Sequence, residues 1–224
     1  MFFAGCNFKC PFCQNSSLIP MDSGVEVDLS VVKDRLKKAL LLVDALHITG
    51  GECTLQHAGL EALCSLAKGL NMDVAVNTNG SRPEVVEDLI EKGLVDYVAM
   101  DVKAPLNPNA YSKLIGVNAQ AVVDRVKRTL DLCSSSKVTL EVRTTVIPGL
   151  ISEEDITEIA KLVKGCDLYV LNQFVPSETV LSPELRKAPA TPRDLLIKLA
   201  RVAIGEGLKD VYIRTREGGF ERIS

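Results

Sequence analysis

Three cysteines, Cys6, Cys10 and Cys13, crowd into the run Cys6-Asn7-Phe8-Lys9-Cys10-Pro11-Phe12-Cys13 near the start of a chain of 224 residues. Three thiols on one short loop can point at one metal centre, and thiolates are soft ligands suited to zinc or iron–sulfur centres. Structural zinc wants four ligands, commonly as two paired arms. No second arm exists here, because Cys53, Cys64, Cys133 and Cys166 each stand alone. Three thiolates instead suit a cluster of four irons with one iron left open, a position that invites a substrate or cofactor. A structural zinc site and unconnected buried cysteines are the plainer readings of the same residues.

Other chemistry-bearing residues follow short apolar runs. Gly50 and Gly51 precede Glu52, so backbone could approach a ligand closely there, with a carboxylate beside it. Asp101 and Lys103 leave the end of another apolar run with one residue between them, which sends both side chains the same way. Arg143 interrupts an otherwise apolar stretch, and its charge requires an anion or a carboxylate partner. Asn77 with Thr78 and Asn79, and Asn172 with Gln173, end two further runs. His47, in an apolar run, and His57, at a helix start, read as structural residues rather than ligands.

The elements that must position these residues are β-strands alternating with amphipathic helices, the pattern of βα units and a parallel sheet. Strands are expected over residues 2–4, 45–49, 72–77, 95–100, 138–145, 168–171 and 211–214. Most are short and apolar, as burial on both faces requires. Val32, Leu36, Ala39, Leu40 and Val43 recur at helical spacing and predict a surface helix with Lys33, Lys37 and Lys38 on its other face. Ser152 three residues before Asp155 predicts a helix over 153–164. Thr191 followed by Pro192 as the first helical residue predicts another over 192–205. Segments 104–116 and 176–189, rich in Pro, Asn and Ser, read as loops. The expected fold is α/β: a partial (β/α)6 barrel of parallel strands, with one further C-terminal strand, in a single domain over 1–224. In such barrels the carboxyl ends of the strands build the site, and the candidate residues fall at those ends.

Composition narrows the class further. Apolar residues make up 46% and charged residues 25%, which excludes a disordered or collagen-like chain. No apolar run approaches a membrane span and the N-terminus carries no secretory pattern. A net charge of -3 supplies no global positive field to gather nucleic acid. Clustered thiols in an odd set of seven cysteines suit a reducing compartment, and a cytoplasmic location is expected.

The cysteine loop resembles that of the radical S-adenosylmethionine (radical SAM) superfamily, with three residues and then two between its cysteines and an aromatic residue, here Phe12, before the last. Gly50-Gly51-Glu52 is similar to the family's Gly-Gly-Glu motif, although Cys53 stands where the family usually has proline. The resemblance implies that Cys6, Cys10 and Cys13 bind a 4Fe–4S cluster. It also implies that S-adenosylmethionine chelates the open iron and that Glu52 meets its ammonium group. Asp101-Val102-Lys103 looks like a pair lining the cofactor site, with Lys103 placed for the methionine carboxylate. Arg143, Gln173 and Asn77 are further expected cofactor contacts, Asn77 standing where related activating enzymes commonly have aspartate.

Beyond the loop, the chain resembles the activating proteins of anaerobic ribonucleoside-triphosphate reductase, relatives of pyruvate formate-lyase activating enzyme. The segments that carry this are Cys10 to Asn15, Gly93 to Pro105, Val146 to Gly149 and Val211 to Gly219. The implied reaction is reductive cleavage of S-adenosylmethionine to a 5'-deoxyadenosyl radical, which abstracts hydrogen from a glycine of a partner enzyme. A flavodoxin- or ferredoxin-type electron donor is implied as well, and no protein acid or base. Relatives carry a longer lead-in before Phe2, so either the start is misassigned or the first strand is short. Two alternatives are a 7-carboxy-7-deazaguanine synthase-like radical enzyme, which usually has aspartate where this chain has Gln14, and a non-catalytic zinc or iron–sulfur module.

Overall fold

The computed structural model describes residues 1–223. One sheet holds eight strands in sequential order: β1 (Phe2–Phe3), β2 (Ala45–Gly50), β3 (Asp73–Thr78), β4 (Tyr97–Asp101), β5 (Thr139–Val146), β6 (Leu168–Gln173), β7 (Val211–Thr215) and β8 (Gly219–Arg222). Strands β1 to β7 pair in parallel and β8 is antiparallel to β7. The sheet does not close on itself, so the architecture is a partial barrel, as the βα alternation implies. Val142 and Val170, neighbours of Arg143 and Leu171, are fully buried, as are Val74 and Ile48. This is why the strands read as apolar runs rather than alternating ones.

β1 is only two residues long, pairing Phe2 with Thr49 and Phe3 with Gly50. β8 was not among the expected strands. It has four residues, one of them half-buried and the rest exposed, so no buried face marks it in sequence. It is held by a ring stack, Phe220 on Tyr212 at 4.5 Å between centroids, and by Arg193 bonded to Glu221.

Helices α1 (Leu29–Ala39), α2 (His57–Lys68), α3 (Pro83–Glu91), α4 (Pro108–Ile115), α5 (Val122–Ser134), α6 (Glu153–Leu162), α7 (Pro183–Arg186) and α8 (Arg193–Gly205) fill the connections. Ser152 and Asp155 form the expected reciprocal cap at the start of α6. Three expectations need correction. α1 ends at Ala39 rather than running to Val43, because the chain must turn there into β2. The amides of Leu42 and Val43 both bond back to Ala39 O, and Leu41 and Leu42 stand 93% and 86% exposed. Pro192 is the extended N-cap of α8, not its first helical residue, and the Thr191 hydroxyl bonds Val146 O instead of capping. The two presumed loops contain α4 and α7, each opened by a proline after a side-chain cap, Asn107 and Ser182 respectively. No described helix is long and apolar enough to cross a membrane.

Candidate active site

The cysteine loop leaves β1 at the carboxyl edge of the sheet and is fastened on three sides by backbone bonds. Gly5 N bonds Leu18 O at 2.8 Å and Cys6 N bonds Ile19 O at 3.0 Å, folding the following segment back onto it. Lys9 N bonds Ile115 O at the end of α4, and the 181–182 segment bonds Cys13 O and Pro11 O. Asn7 joins the loop to Asn79 and Ser81 through its side-chain amide. Phe8 and Phe12 are buried beneath it. These bonds tie the loop to the segment after it, to α4 and to the turn after β3.

Burial pushes the Cys6 thiol up to about 11 and the Cys10 thiol up to about 12, and it raises Cys13 as well. The Lys103 ammonium acts against that shift at all three. The thiols are therefore protonated at neutral pH in the bare chain, and a metal centre must displace those protons to bind. The spacing of the sulfurs separates the candidate metals. A single tetrahedral zinc at about 2.3 Å from each sulfur needs the sulfurs within about 4 Å of one another. The trio of metal-capable atoms that does lie within 4.8 Å among the described residues is His57, Glu61 and Asp88, not the loop cysteines. The three loop sulfurs are therefore not gathered as closely as one zinc requires. In the His57 group, the Lys92 ammonium already bonds Glu61 and Asp88 at 2.7 and 2.8 Å.

Gly50 and Gly51 lie where the chain passes close to itself. A Cβ at Gly50 would stand 2.1 Å from Phe3 O, and one at Gly51 would stand 2.3 Å from Gly5 O. The backbone that approaches there is the chain's own first strand and cluster loop. Gly51→Ala is expected to force this junction apart and cost about 1–3 kcal/mol. In a domain of this size the melting temperature falls by roughly 2–4 °C per kcal/mol. Thermal unfolding reads it, and an unchanged melting temperature would show that the junction is slack.

Glu52 follows in a nest of donors. Its Oε1 accepts from Thr54 N, Thr54 Oγ1 and Thr78 Oγ1 at 3.1, 2.6 and 2.8 Å, and its Oε2 accepts from Asn79 N at 2.6 Å. Burial raises the carboxyl above its ordinary value, and these bonds oppose the shift. Cys53 turns away from the loop: its thiol bonds Asn77 O at 3.2 Å and its thiol neighbour is Cys64.

Lys103 and Asp101 bond each other at 2.9 Å, and the ammonium lies 5.7 Å from the centre of the Phe12 ring. Burial works against the Lys103 charge, but the Asp101 carboxylate bonded to it favours the ammonium, and its pKa is raised. Arg143 is nine-tenths buried, and the carboxylate partner its charge requires is Glu141, which it meets through two guanidinium nitrogens. Tyr97 also donates to Glu141, and Arg214 lies 3.9 Å away. Burial would raise Glu141, but the Arg143 guanidinium holds it below the usual carboxylate range. Its contribution to stability is therefore present above the unfolded value near 4.5 and is lost as pH falls through the depressed folded value. Glu141→Gln is expected to leave Arg143 buried beside a neutral amide and to cost about 3–5 kcal/mol, read as a lower urea midpoint. A midpoint within error of the wild type would remove Glu141 from this account.

Asn77 bonds His47 Nε2 at 2.5 Å and reaches Thr49 at 3.4 Å. The Gln173 amide is bound at both ends by the chain itself, to Thr191 O and from Arg216 N, each at 2.8 Å. All the residues expected from sequence nonetheless line one cavity of about 750 Å³ at the carboxyl ends of the strands. Thr78, Asn79, Asn172 and Arg214 line it too. A second depression on α8, around Asp194 and Arg201, gathers none of them.

Residues 1–163 match the radical SAM superfamily. The chain belongs to that superfamily. A protein of Methanocaldococcus jannaschii named as a glycyl-radical enzyme activating enzyme is 36% identical over 222 residues, spanning 99% of this chain and 90% of its own length. The pyruvate formate-lyase-activating enzyme of Streptococcus mutans is 27% identical over 193 residues, 80% of this chain and 71% of that one. The crystal structure of a radical SAM methyltransferase from Sphaerobacter thermophilus superposes with a TM-score of 0.68 at 15% identity. It covers 94% of this chain and 63% of its own, and it shows the shared fold. Radical SAM enzymes work with a 4Fe–4S cluster and S-adenosylmethionine, and this chain is an enzyme of that kind.

Proposed function

We propose that this radical SAM enzyme activates a glycyl radical enzyme, and that the partner is an anaerobic ribonucleoside-triphosphate reductase. The observation that carries the reading is the single cavity joining the three thiols, the buried Glu52 and the Asp101–Lys103 pair in a sheet that stays open. An open sheet suits a substrate that is a segment of another protein. The near full-length likeness to a protein named as a glycyl-radical enzyme activating enzyme supports it.

Cys6, Cys10 and Cys13 would hold the cluster, with Phe12 packed beneath and the Lys103 ammonium beside the thiolates. When bound, cluster and S-adenosylmethionine together supply one-electron cleavage of a sulfonium bond and a carbon radical able to take hydrogen from glycine. Glu52 offers the carboxylate for the methionine ammonium, and Lys103 and Arg143 offer cations for its carboxylate. Gly50 and Gly51 fix the height of Glu52 over the loop. Asp101 holds Lys103, while Asn77 and Gln173 border the same cavity and complete the contact set. No side chain needs to move a proton, so the protein's share is binding, orientation and exclusion of water. A flavodoxin or ferredoxin is the electron donor in this reading, and the cytoplasm is the compartment.

Anaerobic reconstitution with iron and sulfide, then reduction with and without S-adenosylmethionine, tests the chemistry. Electron paramagnetic resonance should show a reduced cluster whose signal changes on adding the cofactor, with 5'-deoxyadenosine accumulating. Incubation with candidate reductases should then yield a glycyl radical signal in the partner. Cofactor cleavage without any radical on a reductase would redirect the assignment to another protein target.

A further inference from the structure

A guanidinium has two planar edges, each able to take a carboxylate through two parallel N–H bonds. The side edge is Nε with one terminal nitrogen, and the end edge is the two terminal nitrogens. In Arg143 the side edge is taken. Nε donates to Glu141 Oε1, and Nη2 donates to Glu141 Oε2 at 3.0 Å. The other terminal nitrogen, Nη1, makes no hydrogen bond among the described residues. It is also not one of the two enclosed side-chain atoms without a partner, the Tyr111 hydroxyl and Asn172 Oδ1. Open space therefore reaches it, and the space that Arg143 borders is the site cavity. The end edge is free there.

Neither Glu141 nor Tyr97 lines that cavity. Both share a sheet face with Asp101 and Arg143 but lie further from the carboxyl ends of the strands. Asp101 is in register with Arg143, Ala99 with Glu141, and Tyr97 comes two residues before Ala99 on β4. Glu141 is 3% exposed, and the Tyr97 hydroxyl donates to Oε2, the oxygen that also meets Nη2. Arg214 approaches Oε1 only to 3.9 Å, with its own side chain 46% exposed. Two neighbours seated below the cavity thus fix the plane of the Arg143 guanidinium. A long side chain on a cavity wall ordinarily loses rotamer freedom on binding, and here folding has already ordered it.

We infer that Glu141 and Tyr97 are positioning residues that aim the free end edge of Arg143 at the methionine carboxylate of S-adenosylmethionine. This rests on the cofactor reading above and deepens it, because it gives the two cations different tasks. Lys103 is a point charge bonded to Asp101, whereas Arg143 offers an empty two-pronged edge matched to a carboxylate. Tyr97 does not touch the ligand. It acts through Glu141, and Glu141 acts through Arg143.

Calorimetric titration of the anaerobically reconstituted enzyme with S-adenosylmethionine tests this on wild type, Tyr97→Phe, Arg143→Lys and the double variant. Arg143→Lys keeps the charge and loses the fork, so affinity should fall by about tenfold to a hundredfold. Tyr97→Phe should weaken binding by about threefold to tenfold. Its kcat for 5'-deoxyadenosine at saturating cofactor should stay within about twofold of wild type, the signature of lost binding. Added to Arg143→Lys, Tyr97→Phe should cost nothing more, because the edge it serves is gone. Additive losses overturn the inference. A Tyr97→Phe enzyme with a lowered melting temperature and wild-type affinity overturns it too, since that is a purely structural tyrosine. Should Arg143→Lys fail to fold, decarboxylated S-adenosylmethionine takes its place in the cycle. Tyr97→Phe should leave the affinity for that ligand unchanged, and an equal loss for both ligands overturns the inference. If wild type binds no S-adenosylmethionine, the cofactor reading has failed and this inference fails with it. If wild type binds and cleaves it while Tyr97→Phe binds it equally well, this inference alone is wrong.

Discussion

Replacing any one of Cys6, Cys10 or Cys13 by alanine is expected to abolish formation of 5'-deoxyadenosine. The fall should be at least about 10³-fold, or about 4 kcal/mol at 1.36 kcal/mol per tenfold. Each of the three thiolates would hold a different iron, so removing one opens a second iron and lets the cluster fall apart. The three substitutions should therefore look alike, and a double variant should be no worse than a single one. Cys53→Ala is the informative control. Its thiol bonds Asn77 O and its side chain is fully buried beside Cys64, so its loss should leave a small core defect with iron content intact. Anaerobic iron and sulfide analysis beside the deoxyadenosine assay reads both arms. A single loop variant that keeps full iron and activity, or a Cys53 variant that loses its cluster, would mean that the ligand set has been misread.

The contrast between those two kinds of cysteine was legible in the sequence for a simple reason. The ligands lie within one loop, so their spacing along the chain already encodes their spacing in space. The strands were legible too, because burial on both faces leaves an apolar run. Residues whose roles depend on other elements were harder to see. Glu52 stood out by its glycines, but the residues that hold it, Thr54, Thr78 and Asn79, come from the turns after β2 and at the end of β3. Nothing in their own neighbourhoods announces a shared partner. Arg143 was read as a charge in search of an anion, and its partner was two residues away. Glu141 is the other charge on the same face of the same apolar strand, and period-two spacing could have paired them. α4 escaped because prolines and asparagines suppress helical periodicity over so short a stretch. Its stability comes from Asn107 at one end and the cysteine loop at the other, and neither contact is visible in local composition.

The Glu52 nest has a consequence for cofactor binding. Burial raises the carboxyl, so the folded metal-free protein holds that proton more firmly than the unfolded chain does. Between the unfolded value near 4.5 and the raised folded value, lowering the pH favours the folded state through this group; above the folded value the buried charge is a constant cost. A cationic amine arriving at Glu52 reverses the preference, because it favours the carboxylate. Binding of S-adenosylmethionine to the reconstituted enzyme should therefore release a proton at pH below the folded value. Its affinity should rise with pH through that value and then level off. Glu52→Gln removes both the charge and the pH dependence. Loss of a charge-assisted bond worth about 1.5–3 kcal/mol weakens binding by roughly tenfold to a hundredfold at 1.4 kcal/mol per tenfold. The same substitution turns an amide NH₂ toward donors that Glu52 now satisfies, so the metal-free variant should also lose about 1–3 kcal/mol of stability. Titration calorimetry in buffers of different ionisation enthalpy counts the released protons, and thermal unfolding reads the stability arm. Two results would separate the roles. Unchanged affinity with lowered stability would make Glu52 a structural carboxylate that never meets the cofactor. Weakened affinity with the pH dependence intact would place the titrating group elsewhere on the cavity wall.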